Sequence, residues 1–158
     1  MIHIERSIPI AAPIERCFDL SRSIDLHIAS TAGTRERAVS GVTSGLIGHN
    51  QTVTWRTKVL GMPIHHTSLI TLYDRPRYFQ DRMLAGAFKS YCHDHYFEGQ
   101  SGGTLMRDVM TFEAPLGLAG VFVEKVALSQ YMQRLLDKRN LFIRRVAESD
   151  EWTRFLPA

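Results

Sequence analysis

The sequence is poor in the features that would place it in a membrane, outside the cell or on nucleic acid. Only two cysteines, Cys17 and Cys92, occur in 158 residues, and a chain of this length buries enough surface to fold without a disulfide. The opening run Met1-Ile2-His3-Ile4-Glu5-Arg6 has no continuous apolar stretch of the kind a secretory signal needs. No apolar run approaches the roughly 20 residues of a membrane span. These absences predict a cytoplasmic, reduced protein with no stable membrane association. Charge of one sign is scarce too: 19 Lys and Arg against 16 Asp and Glu leave a net +3. There is no stripe of basic and aromatic residues, so nucleic acid is not an expected partner. The loop Gly41–Gly48 has three glycines but no following Lys-Ser/Thr, so it is not a phosphate loop. It reads as a mobile flap. No serine sits in a nucleophile elbow. There is no internal repeat, low-complexity tract or linker.

What is present is an ordinary globular composition, 44% hydrophobic and 22% charged, in a length that suits one domain. Residues 2–10 alternate, with Ile2, Ile4, Ile8 and Ile10 on one side, and period two predicts a half-buried strand. Arg6 interrupts that apolar side. Pro13 fits the first turn of a helix whose apolar face is Ile14, Cys17, Phe18 and Leu20. Ser23 reads as the N-cap of a second short helix over Ile24–Thr31, ended by Gly33. Strands are then expected over Arg35–Ser40, from Thr52 to Val59, from Ile64 to Leu72, over Tyr78–Leu84, over Lys89–Glu98 and over Thr104–Phe112. The separating turns are Gly61-Met62-Pro63, Asp74-Arg75-Pro76-Arg77, Ala85-Gly86-Ala87 and Gly99–Gly103. Pro115 and Gly117 end the strand region. From Leu118 to Glu148 the period becomes helical, with Val121, Leu128, Met132, Leu135, Phe142 and Val146 on one face. The predicted class is α+β, with a curved antiparallel sheet of about seven strands in the order β-α-α-β6-α. The long C-terminal helix covers one face of the sheet. One domain is expected over residues 1–148, followed by a tail over 149–158 whose Trp152, Phe155 and Leu156 can dock on the body.

Several strings carry a resemblance in this same order. They are Ala12-Pro13-Ile14-Glu15-Arg16-Cys17-Phe18, Tyr73-Asp74-Arg75-Pro76-Arg77-Tyr78-Phe79, Gly86-Ala87-Phe88 followed by His93-Asp94-His95-Tyr96-Phe97, Gly102-Gly103-Thr104-Leu105-Met106-Arg107-Asp108, and Ala114-Pro115-Leu116-Gly117. Together they resemble the START-like, or SRPBCC, helix-grip superfamily, in its bacterial branch related to polyketide cyclases and dehydrases. The resemblance implies a curved sheet gripping the terminal helix around an internal cavity, and it implies no metal or other cofactor. That superfamily includes lipid carriers, hormone receptors, allergens, aromatic cyclases and chaperone activators, so the fold leaves the activity open.

Strand parity assigns the residues that face the cavity. Tyr91, His93, His95 and Phe97 share one side of their strand, as do Met106, Asp108, Met110 and Phe112 on the last one. Phe79, Asp81 and Met83 form a third set, and Trp55 and His66 belong to the apolar faces of theirs. Leu128 and Met132 close the space from the helix. An apolar lining with a few convergent polar groups is the usual make-up of a small-molecule pocket. Asp81, His93, His95 and Asp108 are the polar groups of this one. They are the candidates for acid–base catalysis, for holding the polar end of a ligand, or for a structural network that fixes register. His93-x-His95 has the spacing of metal ligands, with Asp81 or Asp108 as a third, but an isolated HxH does not make a metal site, and none is expected. His65 points away from His66 and is expected in solvent. Cys17 reads as a small core hydrophobe and Cys92 as outward. Arg134, Lys138, Arg139, Arg144 and Arg145 read as a solvated helix face. The leading expectation is binding, or transport, of a small hydrophobic or amphipathic molecule. The alternatives are a cyclase- or dehydratase-type enzyme on an aromatic or polyketide-like substrate, and a protein-interaction module resembling chaperone activators. An open sheet edge would allow a homodimer.

Overall fold

The computed structural model of the protein describes residues 1–34, 36–59, 61–113 and 122–157. The predicted strand start at Arg35, the link Ala114-Pro115-Leu116-Gly117 and the helical positions from Leu118 to Val121 lie outside the described residues.

The strands are β1 (Ile2–Ile10), β2 (Arg37–Gly41), β3 (Thr52–Val59), β4 (Met62–Asp74), β5 (Tyr78–Ala85), β6 (Ser90–Gln100) and β7 (Gly103–Glu113). They form one curved antiparallel sheet in the order β1-β7-β6-β5-β4-β3-β2. From β3 to β7 each strand pairs with its predecessor, as short turns dictate. β1 closes onto β7, so β1 and β2 are the two edges. Register shifts interrupt β2–β3 at Ala38/Ser40 and β4–β5 at Thr67/Ser68 and Ile70/Leu72. Such bulges bend the strands that carry them. The β6–β7 hairpin is tighter than the expected five-residue loop, because Gln100 pairs with Gly103. Gly102 takes φ +88° there, a value that favours glycine. Met62 and Pro63 belong to β4 rather than to a turn.

Helices α1 (Ile14–Ser21) and α2 (Ile24–Ser30) connect β1 to β2, and α3 (Phe122–Ala147) is the long C-terminal helix. Ser23 caps α2, its side chain accepting from the Leu26 N–H. On α1, Cys17, Phe18 and Leu20 are fully buried. The Phe18 ring stands edge-on to Tyr73, Phe79 and Phe97 at 5.3 to 5.4 Å, and so anchors α1 over the sheet. The buried stripe of α3 is Leu128, Met132, Leu136, Arg139, Asn140, Ile143, Val146 and Ala147. It is therefore rotated by one residue from the predicted stripe in two places, Leu136 and Ile143 being the deep residues and Leu135 and Phe142 partly buried flanks. Arg6, the interruption on the apolar side of β1, reaches α3, where it donates to Asp137 at 2.8 Å and to Gln133 at 3.1 Å. Trp152, Phe155 and Leu156 pack against the core, and the Arg16 guanidinium lies 4.4 Å over the Trp152 ring.

Candidate functional site

Sheet and helices do not close completely on one another. A cavity of about 190 Å³ remains between β3–β7, α2 and α3. Of the predicted lining, Trp55, His66, Phe79, Asp81, Tyr91, His93, His95, Met110 and Met132 reach it. Six others do not. Phe97 and Met106 are spent in the core around Phe18, while Met83, Phe112 and Leu128 fill a second apolar cluster with Ile4 and Phe88. Asp108 has no exposed surface at all. Strand parity places a side chain on a face but says nothing about how far along that face the neighbouring helices have already filled the space.

The polar end of the cavity is made by register. Asp81 on β5 is paired with His93 on β6, and His95 on β6 is paired with Asp108 on β7. Side chains that share a face on adjacent strands meet both directly and diagonally. Here the diagonal contacts are His93 Nε2 to Asp108 Oδ1 at 2.9 Å and His95 Nε2 to Asp81 Oδ2 at 3.1 Å. His95 Nδ1 also lies 2.7 Å from Asp108 Oδ1, but its direction misses a hydrogen bond. The rings of His93 and His95 are 3.8 Å apart, and Phe79 stacks on His95 at 4.1 Å. A ladder continues outward, with Ser68 Oγ donating to Asp81 at 3.2 Å and His66 Nε2 lying 3.0 Å from Ser68 Oγ. From the helix, Asn140 Nδ2 donates to Asp108 Oδ2 at 2.7 Å. Arg139 sends one nitrogen to within 3.7 Å of Asp108 and donates with another to the Ser21 carbonyl at 2.8 Å.

This arrangement divides the charges. Burial would raise both carboxyls. For Asp81 the His95 hydrogen bond and the charges of His93 and His95 outweigh it, bringing that group down to about 2. For Asp108 the His93 hydrogen bond and the close approach of the His95 ring hold it well below the usual carboxylate range. Burial and the neighbouring charge of His95 push His93 down, against the pull of Asp108 and Asp81. Burial also acts on His95, but two adjacent carboxylates more than offset it and its value rises. The directions run together: both carboxyls favour their charged form, His95 is shifted toward its protonated form and His93 toward its neutral one, with the Arg139 guanidinium facing Asp108. Burial lowers His66 in spite of Asp81 and Glu36, and raises the Tyr91 phenol well above its ordinary value.

A second polar pair lines the same cavity nearer the sheet edge. His27 Nε2 lies 3.0 Å from Glu36 Oε2, and the His27 ring stacks on Trp55 at 4.3 Å. Burial would raise the Glu36 carboxyl, but the hydrogen bond and charge of His27 bring it below its ordinary value. This pair carries no periodic signal, because Glu36 precedes its strand and His27 sits on a short helix.

Arg139 corrects the reading of the helix cations as a solvated face: it is 8% exposed, on the inward stripe, while Arg134, Lys138 and Arg145 are exposed. Asn140 was not singled out by the pattern at all. The Gly41–Gly48 loop is also not a free flap. It is tied to the start of α2 by backbone bonds from Ile24 N–H to the Gly45 carbonyl and from Ile47 N–H to the Arg22 carbonyl. A further bond runs from Gly45 N–H to Asp25. Ile47 is buried and lines the cavity. His65 is exposed, Cys17 is buried, and Cys92 is half-buried.

No protein-family model matches the sequence, and no curated protein matches it. Solved structures do. A protein from Thermus thermophilus superposes with a TM-score of 0.74 at 16% identity, over 91% of this chain and 95% of that one. A START superfamily protein from Mycobacterium smegmatis does so with a TM-score of 0.68 at 10% identity, over 92% and 97%. The major latex-like protein 151 of Panax ginseng gives 0.65 at 12% identity, over 94% and 98%. Among the described residues no helix is long and apolar enough to cross a membrane. Strand order, closing helix and these superpositions agree: the chain has the helix-grip fold of START-like proteins.

Proposed function

We propose that this protein binds a small, mainly apolar molecule with one polar end in the cavity between its sheet and α3. The observation that carries the reading is an unfilled space of about 190 Å³ whose walls are largely aromatic and aliphatic and whose inner end is a buried Asp–His cluster. Buried polar groups cost free energy, and a cavity costs packing, so the pair together is expensive to keep unless something uses it. The size narrows the guest. A cavity of about 150 Å³ takes benzene, and drug-sized ligands need roughly 300 Å³ or more. A molecule built on a single ring or a short chain fits, whereas a long-chain lipid requires the helix to move. Asp81, His66 and His93 are the groups that would orient its polar end, with Trp55, Phe79, Tyr91, Met110 and Met132 around its body. An interaction module of the chaperone-activator kind would instead have a filled core.

Native mass spectrometry of freshly purified protein tests the proposal, together with the fluorescence of Trp55 in the cavity wall, read in a Trp152→Phe background. A copurifying small molecule, or saturable quenching by single-ring compounds, is the expected result. A protein that is always empty and whose Trp55 emission responds to no such compound sinks it.

One contact favours a second reading, a cyclase- or dehydratase-type enzyme. His93 lies in the cavity wall with Asp108 orienting its ring, the arrangement of a general base and its partner. If that reading holds, His93→Gln abolishes turnover of a bound compound while its affinity changes little. Equal loss of both returns the site to binding alone.

A further inference from the structure

We propose that Asp81, His93 and His95 form a binding site for a divalent first-row transition metal, with the cavity on its open side. The inference is independent of which molecule the cavity takes.

The geometry is that of a ligand set with its supporting shell in place. One atom each of Asp81, His93 and His95 lies within 4.8 Å of the other two. The nitrogens concerned converge on one oxygen: Asp81 Oδ2 is 3.1 Å from His95 Nε2 and 3.9 Å from His93 Nδ1. Ligands about 2 Å from a tetrahedral zinc stand roughly 3.3 Å apart, so a small closing movement suffices. Both rings turn their other nitrogen to the same carboxylate, Asp108, at 2.9 and 2.7 Å. Metal-bound histidines almost always place the second ring nitrogen on a carboxylate or carbonyl in this way. Asp108 is itself fixed by Asn140 at 2.7 Å, and the second oxygen of Asp81 accepts from Ser68 at 3.2 Å. No ligand hangs on a loop: the three come from facing positions on two neighbouring strands.

A proton network alone accounts for less. Two imidazole nitrogens face one carboxylate oxygen, and only the His95 nitrogen is within hydrogen-bond reach of it. A cation at the convergence point would engage both inner nitrogens at once and leave their outer N–H groups on Asp108. Two imidazoles and one carboxylate select zinc, iron(II), cobalt or manganese rather than calcium or magnesium, which prefer oxygen. Three protein ligands leave positions toward the cavity for water or for an oxygen of the guest.

The test uses the full chain, stripped with chelator and titrated with Zn²⁺ by calorimetry and with Co²⁺ by visible absorption. We expect one ion per chain. Asp81→Asn and His95→Gln abolish that uptake, and Asp108→Asn, which removes no ligand, weakens it roughly 10- to 100-fold. Near-UV circular dichroism verifies that each variant is folded. A readout on the unaltered protein stands beside the variants: Co²⁺ shifts or broadens the imidazole resonances of His93 and His95 and spares those of His3, His49 and His65. Absence of uptake by the stripped protein overturns the proposal, as does uptake that persists in the folded variants or that perturbs only the surface histidines.

Discussion

Two histidine–carboxylate groups line one cavity at nearly the same contact distance, and they are built very differently. The inner one centres on Asp108, with His93 at 2.9 Å, and sits on the middle strands of the sheet under α3. The outer one is His27 and Glu36 at 3.0 Å, on a short helix and on the residue before an edge strand. Distance does not separate them, but surroundings do. Asp108 has no exposed surface and four protein groups around it, whereas the His27 side chain is 28% and the Glu36 side chain 13% exposed, and Glu36 has one cationic partner beside the hydroxyls of Thr31 and Thr57. In the interior a charge that loses its partner has no water to turn to, and at the edge it does. The inner group therefore has to be complete, and the outer one can come and go.

Breaking the inner group is the largest effect expected. Asp108→Ala leaves His93, His95 and the Arg139 guanidinium in the core without their shared carboxylate. Removing one partner from a buried ion cluster costs about 3–5 kcal/mol, so urea unfolding should show a loss in that range, with a markedly lower midpoint. A loss under about 1 kcal/mol would mean that water reaches Asp108 and that the contrast with the outer pair is false. A smaller effect sharpens the boundary between the two groups. Ser68→Ala removes the donor to Asp81 and the neighbour of His66, and a hydrogen bond to a charged group is worth about 1.5–3 kcal/mol. Because Asp81 keeps 18% of its side chain exposed, the low end of that range is expected from the same unfolding measurement.

The contrast also marks where the sequence is readable. Period-two alternation on β1 and β3–β7 exposed the strands, their order and the shared face of Asp81, His93, His95 and Asp108. Register was not readable, since it is set by the turns and bulges: nothing in the pattern says that Asp81 meets His93 rather than a neighbour two residues away. The helix contribution was hidden for another reason. Apolar residues stand in adjacent pairs on α3, Leu135 with Leu136 and Phe142 with Ile143, so the pattern fits two rotations one residue apart. The wrong rotation puts Arg139 in water. Its true position follows only from the buried carboxylate it faces, which lies on a strand distant in sequence. Glu36 and His27 lie outside long periodic elements and carry no signal of their own. Glycine content in the Gly41–Gly48 loop reports conformational freedom in the unfolded chain, whereas two backbone hydrogen bonds and one to the Asp25 carboxylate hold the folded loop.

The smallest effect concerns the outer pair and pH. Glu36 has a folded-state value below its ordinary 4.5, because the hydrogen bond and charge of His27 outweigh burial. A depressed carboxylate binds its proton more weakly when folded than when unfolded. Its contribution is therefore fully present above the ordinary value and is lost as pH falls through the lower folded one. The groups that feel this charge are His27 on α2, His66 on β4, Tyr91 on β6 and Tyr131 on α3. Of these, His27 is the partner that holds the carboxylate down. Glu36→Gln keeps the shape and removes the titration. Stability of the native chain minus that of the variant, measured by unfolding from pH 7 to pH 3, should be constant above about pH 5 and then decline toward acid. The total change should stay under about 1 kcal/mol, the scale of a partly exposed pair. A difference that is flat across the range would show that His27 and Glu36 are merely adjacent. A difference of several kcal/mol would make the outer pair as dependent on its partner as the inner one, and the distinction drawn from burial would fail.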